Sequence, residues 1–404
     1  MEGCVYCIHG MQRMGNSLLS HSDAQSSVKP PISVRRIHEL DGIRGLAALL
    51  VAVGHWQAYF MPDPFLKAYP LCVDAFFILS GIVLTHVYEA KILSGEAGMR
   101  EFWLHRLARL YPLHLFTLVL ALVLNFAIDW FCWHGIHTGH PFDILTRTDY
   151  FWFRAFINLA MLQGAGFDGY AWDTPSWSIS VEVIVNLIWV SLLVRTRRSI
   201  PVVALVLLSF LMIVNACGVN IPFPDRGINT FGILNPGVLG GLMGFMIGVL
   251  CYRHLVPLLS LIPVLWANIV ALAATFVAVA VFHLGDTEPA YGLRGMYYVM
   301  VMVVLPLFIL SSMHSGTFLN AFFRLKPMLW LGRISYSVYL IHWLILLPFE
   351  MAWKDSFIQW NRPVIVTVYL GSVLLLATLT YYFLEAPCRR WINARWKQAR
   401  AAIV

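Results

Sequence analysis

The sequence predicts an all-α polytopic membrane protein with about ten transmembrane helices. Three observations predict it. Of 404 residues, 59% are hydrophobic and only 12% charged, whereas soluble domains carry about 25% charged residues. Mean hydropathy is +0.71, and the shortage of charge extends along the whole chain. The apolar residues gather into ten runs, each long enough for the roughly 20 residues that cross a hydrocarbon core.

Residues 1–34 come before the first run. They are polar, contain Lys29, Pro30 and Pro31, and lack the apolar centre of a signal peptide, so they read as a flexible cytoplasmic tail. Cys4, Cys7 and His9 could bind a metal there, but a lone CxxC in such a tail is more simply disordered. The runs follow at 43–60, 70–88, 110–130, 175–194, 200–218, 231–251, 263–283, 294–313, 330–349 and 364–384. They place a membrane domain over 35–392 and a basic cytoplasmic tail over 393–404. Small residues in GVLGGLMG (237–244) suit close helix packing. No internal repeat is visible, so an inverted-repeat transporter has no support. The seven cysteines are scattered, which excludes a disulfide framework.

Lys and Arg set the orientation. With the N-terminus inside, 21 of the 28 basic residues fall in inside segments and 7 outside. Both termini are therefore expected to be cytoplasmic. The same bias explains the net charge of +7 without a nucleic-acid partner. The longest loop, about 131–174, is then external. His134, His137 and His140 in it could bind a metal; the simpler reading is a polar, aromatic-rich loop at an extracytoplasmic entrance, and no metal is expected.

Ionisable groups inside a span are costly, and each is a candidate for function. Asp41, Arg44, His55, Asp74, Glu182 and His342 qualify. Glu385, near the inner end of the last run, is expected to pair with Arg389 or Arg390. At 1.5 Å rise per residue, His55 and His342 both sit about 18 Å above the inner face, and Glu182 reaches about the same level from the other side. One buried histidine is most often structural. Three ionisable groups at one depth suit a general base oriented by a carboxylate. Ser178 and Ser180 could hydrogen-bond to that site or to their own helix. Lower down, Arg106 and Arg109 share a helix face just before the third run, with Arg44 at the inner end of the first. Arginine suits bidentate phosphate recognition; the alternative is an ordinary positive-inside flank.

ELDGIRGLAALLVAVGHW (39–56), VDAFFILSGIVL (73–84), HRLARLYP (105–112), WSISVEVIVNLIW (177–189), LGRISYSVYLIHW (331–343) and YYFLEAPCRRW (381–391) together resemble, in order, the signatures of the acyltransferase-3 family. These are membrane enzymes that acylate carbohydrates and other acceptors. The resemblance implies an essential catalytic His55, and donor binding by Arg44, Arg106 and Arg109. Glu182 and His342 match motif positions, and are carried as catalytic candidates. It also implies acetyl-CoA or another acyl-CoA as donor, a sugar hydroxyl on a lipid-linked or polymeric glycan as acceptor, and contact with membrane lipids but not nucleic acid. A bacterial inner (plasma) membrane location follows. The Glu-Glu pair of some members is Glu182-Val183 here, which removes a second carboxylate. No stretch reads as the fused esterase-like domain some members carry, so the acceptor is expected to meet the membrane site directly. The expected function is acyl transfer, His55 deprotonating the acceptor, directly or through an acyl-histidine. The alternative is a transporter of an acyl donor or lipid-linked sugar without chemistry.

Overall fold

A computed structural model describes residues 36–61, 65–134, 151–165, 171–196, 236–284, 294–354 and 361–402. Every regular element among them is helical. We number the helices α1 (His38–Phe60), α2 (Leu71–Leu93), α3 (Met99–Trp133), α4 (Phe151–Leu159), α5 (Ser176–Thr196), α6 (Gly237–Leu261), α7 (Val264–Leu284), α8 (Tyr297–Met313), α9 (Phe318–Phe323), α10 (Lys326–Lys354) and α11 (Pro363–Ala401). Local π-helical turns interrupt α2, α6 and α11, at Thr85–Glu89, Cys251–Leu255 and Tyr381–Glu385.

Seven of these helices are long and apolar enough to cross a membrane: α2, α3, α5, α6, α7, α10 and α11. They account for seven of the ten apolar runs. The run at 43–60 forms α1, a 23-residue helix, but Arg44, His55 and Gln57 dilute its hydropathy. The run at 294–313 gives a shorter apolar helix, Tyr297–Met313. The run at 200–218 lies outside the described residues. The chain is therefore an all-helical membrane protein, with seven clear candidate spans among the described residues. α7 carries its lipid-facing signature openly: Leu272, Phe276 and Val279, one stripe at helical spacing, are 64%, 74% and 62% exposed. The segment expected as a basic tail begins inside α11, which continues as helix to Ala401.

Close backbone contacts fix two helix pairs. A Cβ on Gly81 would lie 2.1 Å from the carbonyl oxygen of Phe245, and one on Gly248 2.2 Å from that of Ile78. α2 and α6 thus touch backbone to backbone, with Gly241 receiving the ring of Phe77 and Gly244 its Cβ, as the small-residue run suggested. Farther along, His86 of α2 meets Tyr252 of α6 at 2.8 Å. The contacts advance together along both chains, so the two helices run parallel. Around them Ile78, Trp189 and Phe245 form one core. A second core, built on Ala48, Leu340 and Tyr369, joins α1, α10 and α11, and it holds the candidate site.

Candidate active site

The site begins with a seam. Along α1, Gly45, Ala48, Ala52 and His55 follow a three–four–three spacing, and along α10 so do Gly332, Ser335, Tyr339 and His342. Alternating steps of three and four residues are those of a two-helix seam. The glycines bring the backbones into contact: a Cβ on Gly45 would lie 2.5 Å from the nitrogen of Gly332, and one on Gly332 2.2 Å from the carbonyl oxygen of Asp41. Ten residues further along each helix, about 15 Å at helical rise, Nε2 of His342 lies 3.1 Å from Nδ1 of His55. α1 and α10 are therefore parallel, and their two histidines meet because their two glycines meet. Tyr369 of α11 fastens both helices at that level, its hydroxyl 3.3 Å from the carbonyl oxygens of Ala52 and His342.

With both rings neutral, the hydrogen bonds set the tautomers. Nδ1 of His342 faces the carbonyl oxygen of Val338 at 3.3 Å. A carbonyl only accepts, so that nitrogen carries the proton and Nε2 carries a lone pair. Nδ1–H of His55 then donates to His342, sharing its proton with the carbonyl of Val51 at 3.1 Å. The basic lone pair of His55 is thereby placed on Nε2. His342 is fully buried and His55 half-buried. The rings of Tyr69 and Trp343 close on His55 edge to face, 4.9 and 5.3 Å between centroids.

A second centre lies below. Arg106 and Arg109 belong to α3 itself, a single 35-residue helix, rather than to a flank before it. The Arg106 guanidinium pairs with Glu182 of α5, and the two side chains are 8% and 21% exposed. Glu182 also accepts the hydroxyl of Ser80 at 2.9 Å. Arg44 donates to Asp41 at 3.2 Å, and Asp41 takes Arg36 as well, at 2.6 Å. Arg109 is half-buried and has neither hydrogen-bond nor ion-pair partner among the described residues. All three arginines line one pocket with Glu182, Ser178 and Tyr339. Arg44 precedes His55 by eleven residues, about 16 Å along α1. Tyr339 links the two centres. Its hydroxyl meets that of Ser178 at 2.7 Å, and its ring lies 6.0 Å from that of His342.

The structure thus divides the expected trio. His55 and His342 come together; Glu182 turns toward the arginines and joins their pocket, which neither histidine lines. Glu182 lies one helical turn beyond Ser178, which already meets Tyr339 a turn below His342. Helical rise alone fixes neither its height nor its azimuth. Ser180 bonds within its own surroundings, to the carbonyl of Met161 at 2.7 Å, whereas Ser178 reaches Tyr339. Asp74 accepts the hydroxyl of Tyr297 at 2.8 Å. Glu385 takes the hydroxyl of Ser337 at 2.8 Å in place of the arginines that follow it. Tyr69 and Tyr339 were not among the sequence candidates. For Tyr339 a signal existed: it lies one helical turn before His342 on the same seam. Among the described residues no cluster of His, Cys, Asp and Glu could hold a metal ion. Cys4, Cys7, His9, His137 and His140 lie outside them.

The acyltransferase domain matches residues 37–382. The chain is similar to protein 2 in the picA locus of Rhizobium radiobacter, 34% identical over 202 residues, which are 47% of this chain and 98% of that protein. It is also similar to O-acetyltransferase OatA of Staphylococcus aureus, 24% identical over 379 residues, 89% of this chain and 58% of that protein. Peptidoglycan O-acetyltransferase OatA of Listeria monocytogenes is 23% identical over 378 residues, 89% of this chain and 56% of that protein. The chain spans little more than half the length of those two O-acetyltransferases. No solved structure matches it.

Proposed function

We infer the function from one premise: the chain belongs to the acyltransferase-3 family, whose domain covers most of it. On our reading it moves an acyl group, acetyl in the first instance, from acyl-CoA to a hydroxyl of a cell-surface or secreted carbohydrate. The names of the Staphylococcus and Listeria relatives, both O-acetyltransferases and one of peptidoglycan, support the acetyl group and the glycan acceptor. The observation that carries the donor is the arginine pocket. Arg44 and Arg106 each have a carboxylate partner, and Arg109 has none among the described residues. A half-buried cation with no direct ion pair, acted on only at longer range by Glu182 and Glu385, suits an anionic ligand, here the phosphates of CoA entering from the cytoplasm.

With the phosphates held by the arginines, the acyl arm extends along α1 past Tyr339 to the histidine pair. The acceptor hydroxyl approaches Nε2 of His55. That nitrogen takes the hydroxyl proton as the oxygen attacks the thioester carbonyl. The C–S bond then breaks, and the imidazolium returns the proton to the departing thiolate. The products are the O-acyl ester and free CoA thiol. His342 keeps Nδ1 of His55 engaged as a donor, so Nε2 is the nitrogen that works. The enclosing rings of Tyr69 and Trp343 limit water and so limit thioester hydrolysis. Both termini are cytoplasmic on this reading, in a bacterial inner membrane.

The test uses purified protein in lipid vesicles with radiolabelled acetyl-CoA and a panel of soluble oligosaccharides. His55→Ala should abolish both thiol release and labelling of the saccharide while the protein keeps its melting temperature. Arg109→Ala should weaken CoA binding about 10- to 100-fold, the loss of a charged hydrogen bond. Normal saccharide labelling by His55→Ala would overturn the catalytic assignment, and unchanged CoA affinity in Arg109→Ala would overturn the donor site.

A further inference from the structure

The residue before His55 is Gly54, and it is occupied space. A Cβ there would lie 2.1 Å from Cγ of Tyr69 and 2.5 Å from its Cβ. Any side chain at 54 would displace the root of the tyrosine, not its flexible end. Tyr69 lies in the strap Phe65–Pro70 that leads into α2, and the strap is tied down on two sides. The amide of Leu66 donates to Oε1 of Gln57 on α1 at 2.9 Å. The amide of Lys67 donates to the carbonyl of Phe282 on α7 at 2.8 Å, and Nδ1 of His283 lies 3.3 Å from the carbonyl oxygen of Phe65. Gln57 is itself fully buried, two residues beyond His55. The strap is therefore anchored next to the histidine it covers, and its tyrosine ring rests edge to face against the imidazole.

We propose that Tyr69, seated on Gly54 by this strap, is a positioning residue for His55. Its ring, together with that of Trp343, blocks rotation of the imidazole about Cβ–Cγ and so keeps Nδ1 toward His342 and Nε2 toward the acceptor. The hydrogen bond between the histidines cannot do this alone, because Nδ1 of His55 also faces the carbonyl of Val51. A ring free to swing would trade one acceptor for the other and carry Nε2 with it. The inference rests on the reading of His55 as the base. It adds that an external loop, not only the two seam helices, sets the geometry of that base.

The experiment measures saccharide acetylation and the KM for acetyl-CoA in vesicles for Tyr69→Ala, Tyr69→Phe, Gly54→Ala and His55→Ala. Tyr69→Ala should lower kcat about 100-fold, the effect of misplacing a reacting group by about 1 Å, and leave the KM for acetyl-CoA unchanged. Tyr69→Phe keeps the ring and should restore most of kcat. Gly54→Ala should reproduce the kcat defect with Tyr69 intact, which covers the case of Tyr69→Ala failing to fold. Wild-type kcat in both Tyr69→Ala and Gly54→Ala would overturn the proposal, as would equal losses in Tyr69→Phe and Tyr69→Ala. If His55→Ala remains active, the parent reading fails, whatever the Tyr69 variants show. If it is inactive while Tyr69→Ala and Gly54→Ala keep full kcat, only the positioning role fails.

Discussion

Gly45→Ala should separate the two histidines without touching either. The added Cβ would stand 2.5 Å from the nitrogen of Gly332 and 2.7 Å from the carbonyl carbon of Leu331, where ordinary contact begins at 3.4 Å. The obstacle is backbone on both sides, so no side chain can yield. α1 and α10 must part by about 1 Å, because close-packed interiors pass such strain on. Overpacking of this kind costs about 1–3 kcal/mol. The histidine contact is 3.1 Å, and an added ångström takes it beyond hydrogen-bonding range. A displacement of that size at a reacting group costs about 100-fold in rate. The assay pairs a melting curve in detergent with acetyl transfer in vesicles. Gly371→Ala is the control: no atom lies within 4 Å of its added Cβ, and alanine in a helix is favoured over glycine by roughly 0.5–1 kcal/mol, so it should be neutral or stabilising. A Gly45→Ala protein with wild-type kcat would refute the claim that the glycine contact sets the histidine pair.

Glu182→Gln leaves Arg106 buried without its carboxylate, and breaking a buried pair costs about 3–5 kcal/mol. The melting temperature should fall without ligand and recover in part when CoA is added; a deficit that CoA does not alter would contradict an anion site. Asp173, at the entrance to α5, is fully buried, and burial pushes its carboxyl well above the usual carboxylate range, the Thr117 hydroxyl opposing this only partly. The native state thus holds a proton the unfolded chain releases, so stability should fall as pH rises above the ordinary carboxylate pKa, up to the raised native one. Asp173→Asn should flatten that dependence in melting curves taken from about pH 4 to 8; an unchanged slope would assign it to another group.

Seven of the ten apolar runs are long apolar helices because hydrophobic length is a direct physical signal. α1 was legible as a run yet stands apart from them because its polar residues are the site. The meeting of His55 and His342 was legible as shared height. It was also written in the spacing, since each histidine follows a seam glycine by ten residues. Glu182 was misplaced because its height and azimuth both depend on how α5 packs against α2 and α3, which no periodicity in α5 alone declares. The contact with Ser80, 102 residues away, is a tertiary fact. Tyr69 had no signal of its own: it reaches His55 through a strap held by a backbone amide and a carbonyl on α7, groups that every residue carries.

The separation of the two centres has an energetic logic. Three guanidinium groups in an apolar wall would repel one another and lose hydration. Asp41 and Glu182 offset much of that cost, but Asp41 is shared with Arg36 and Glu182 is committed to Arg106 and Ser80. Arg109 has no carboxylate in direct contact among the described residues; Glu182 and Glu385 act on it only at longer range. On the proposed reading an anionic donor would make the direct contact that Arg109 lacks, so binding energy would be released at the phosphates, far from the reacting carbonyl. Had Glu182 stood beside the histidines, it would have oriented His55 but left Arg106 unanswered. On the same proposed reading, a hydrogen-bonded neutral histidine would orient His55 without bringing a negative charge to a site where the tetrahedral intermediate must itself become anionic. His342 in that place, and the carboxylate one pocket below, is the arrangement that serves both centres.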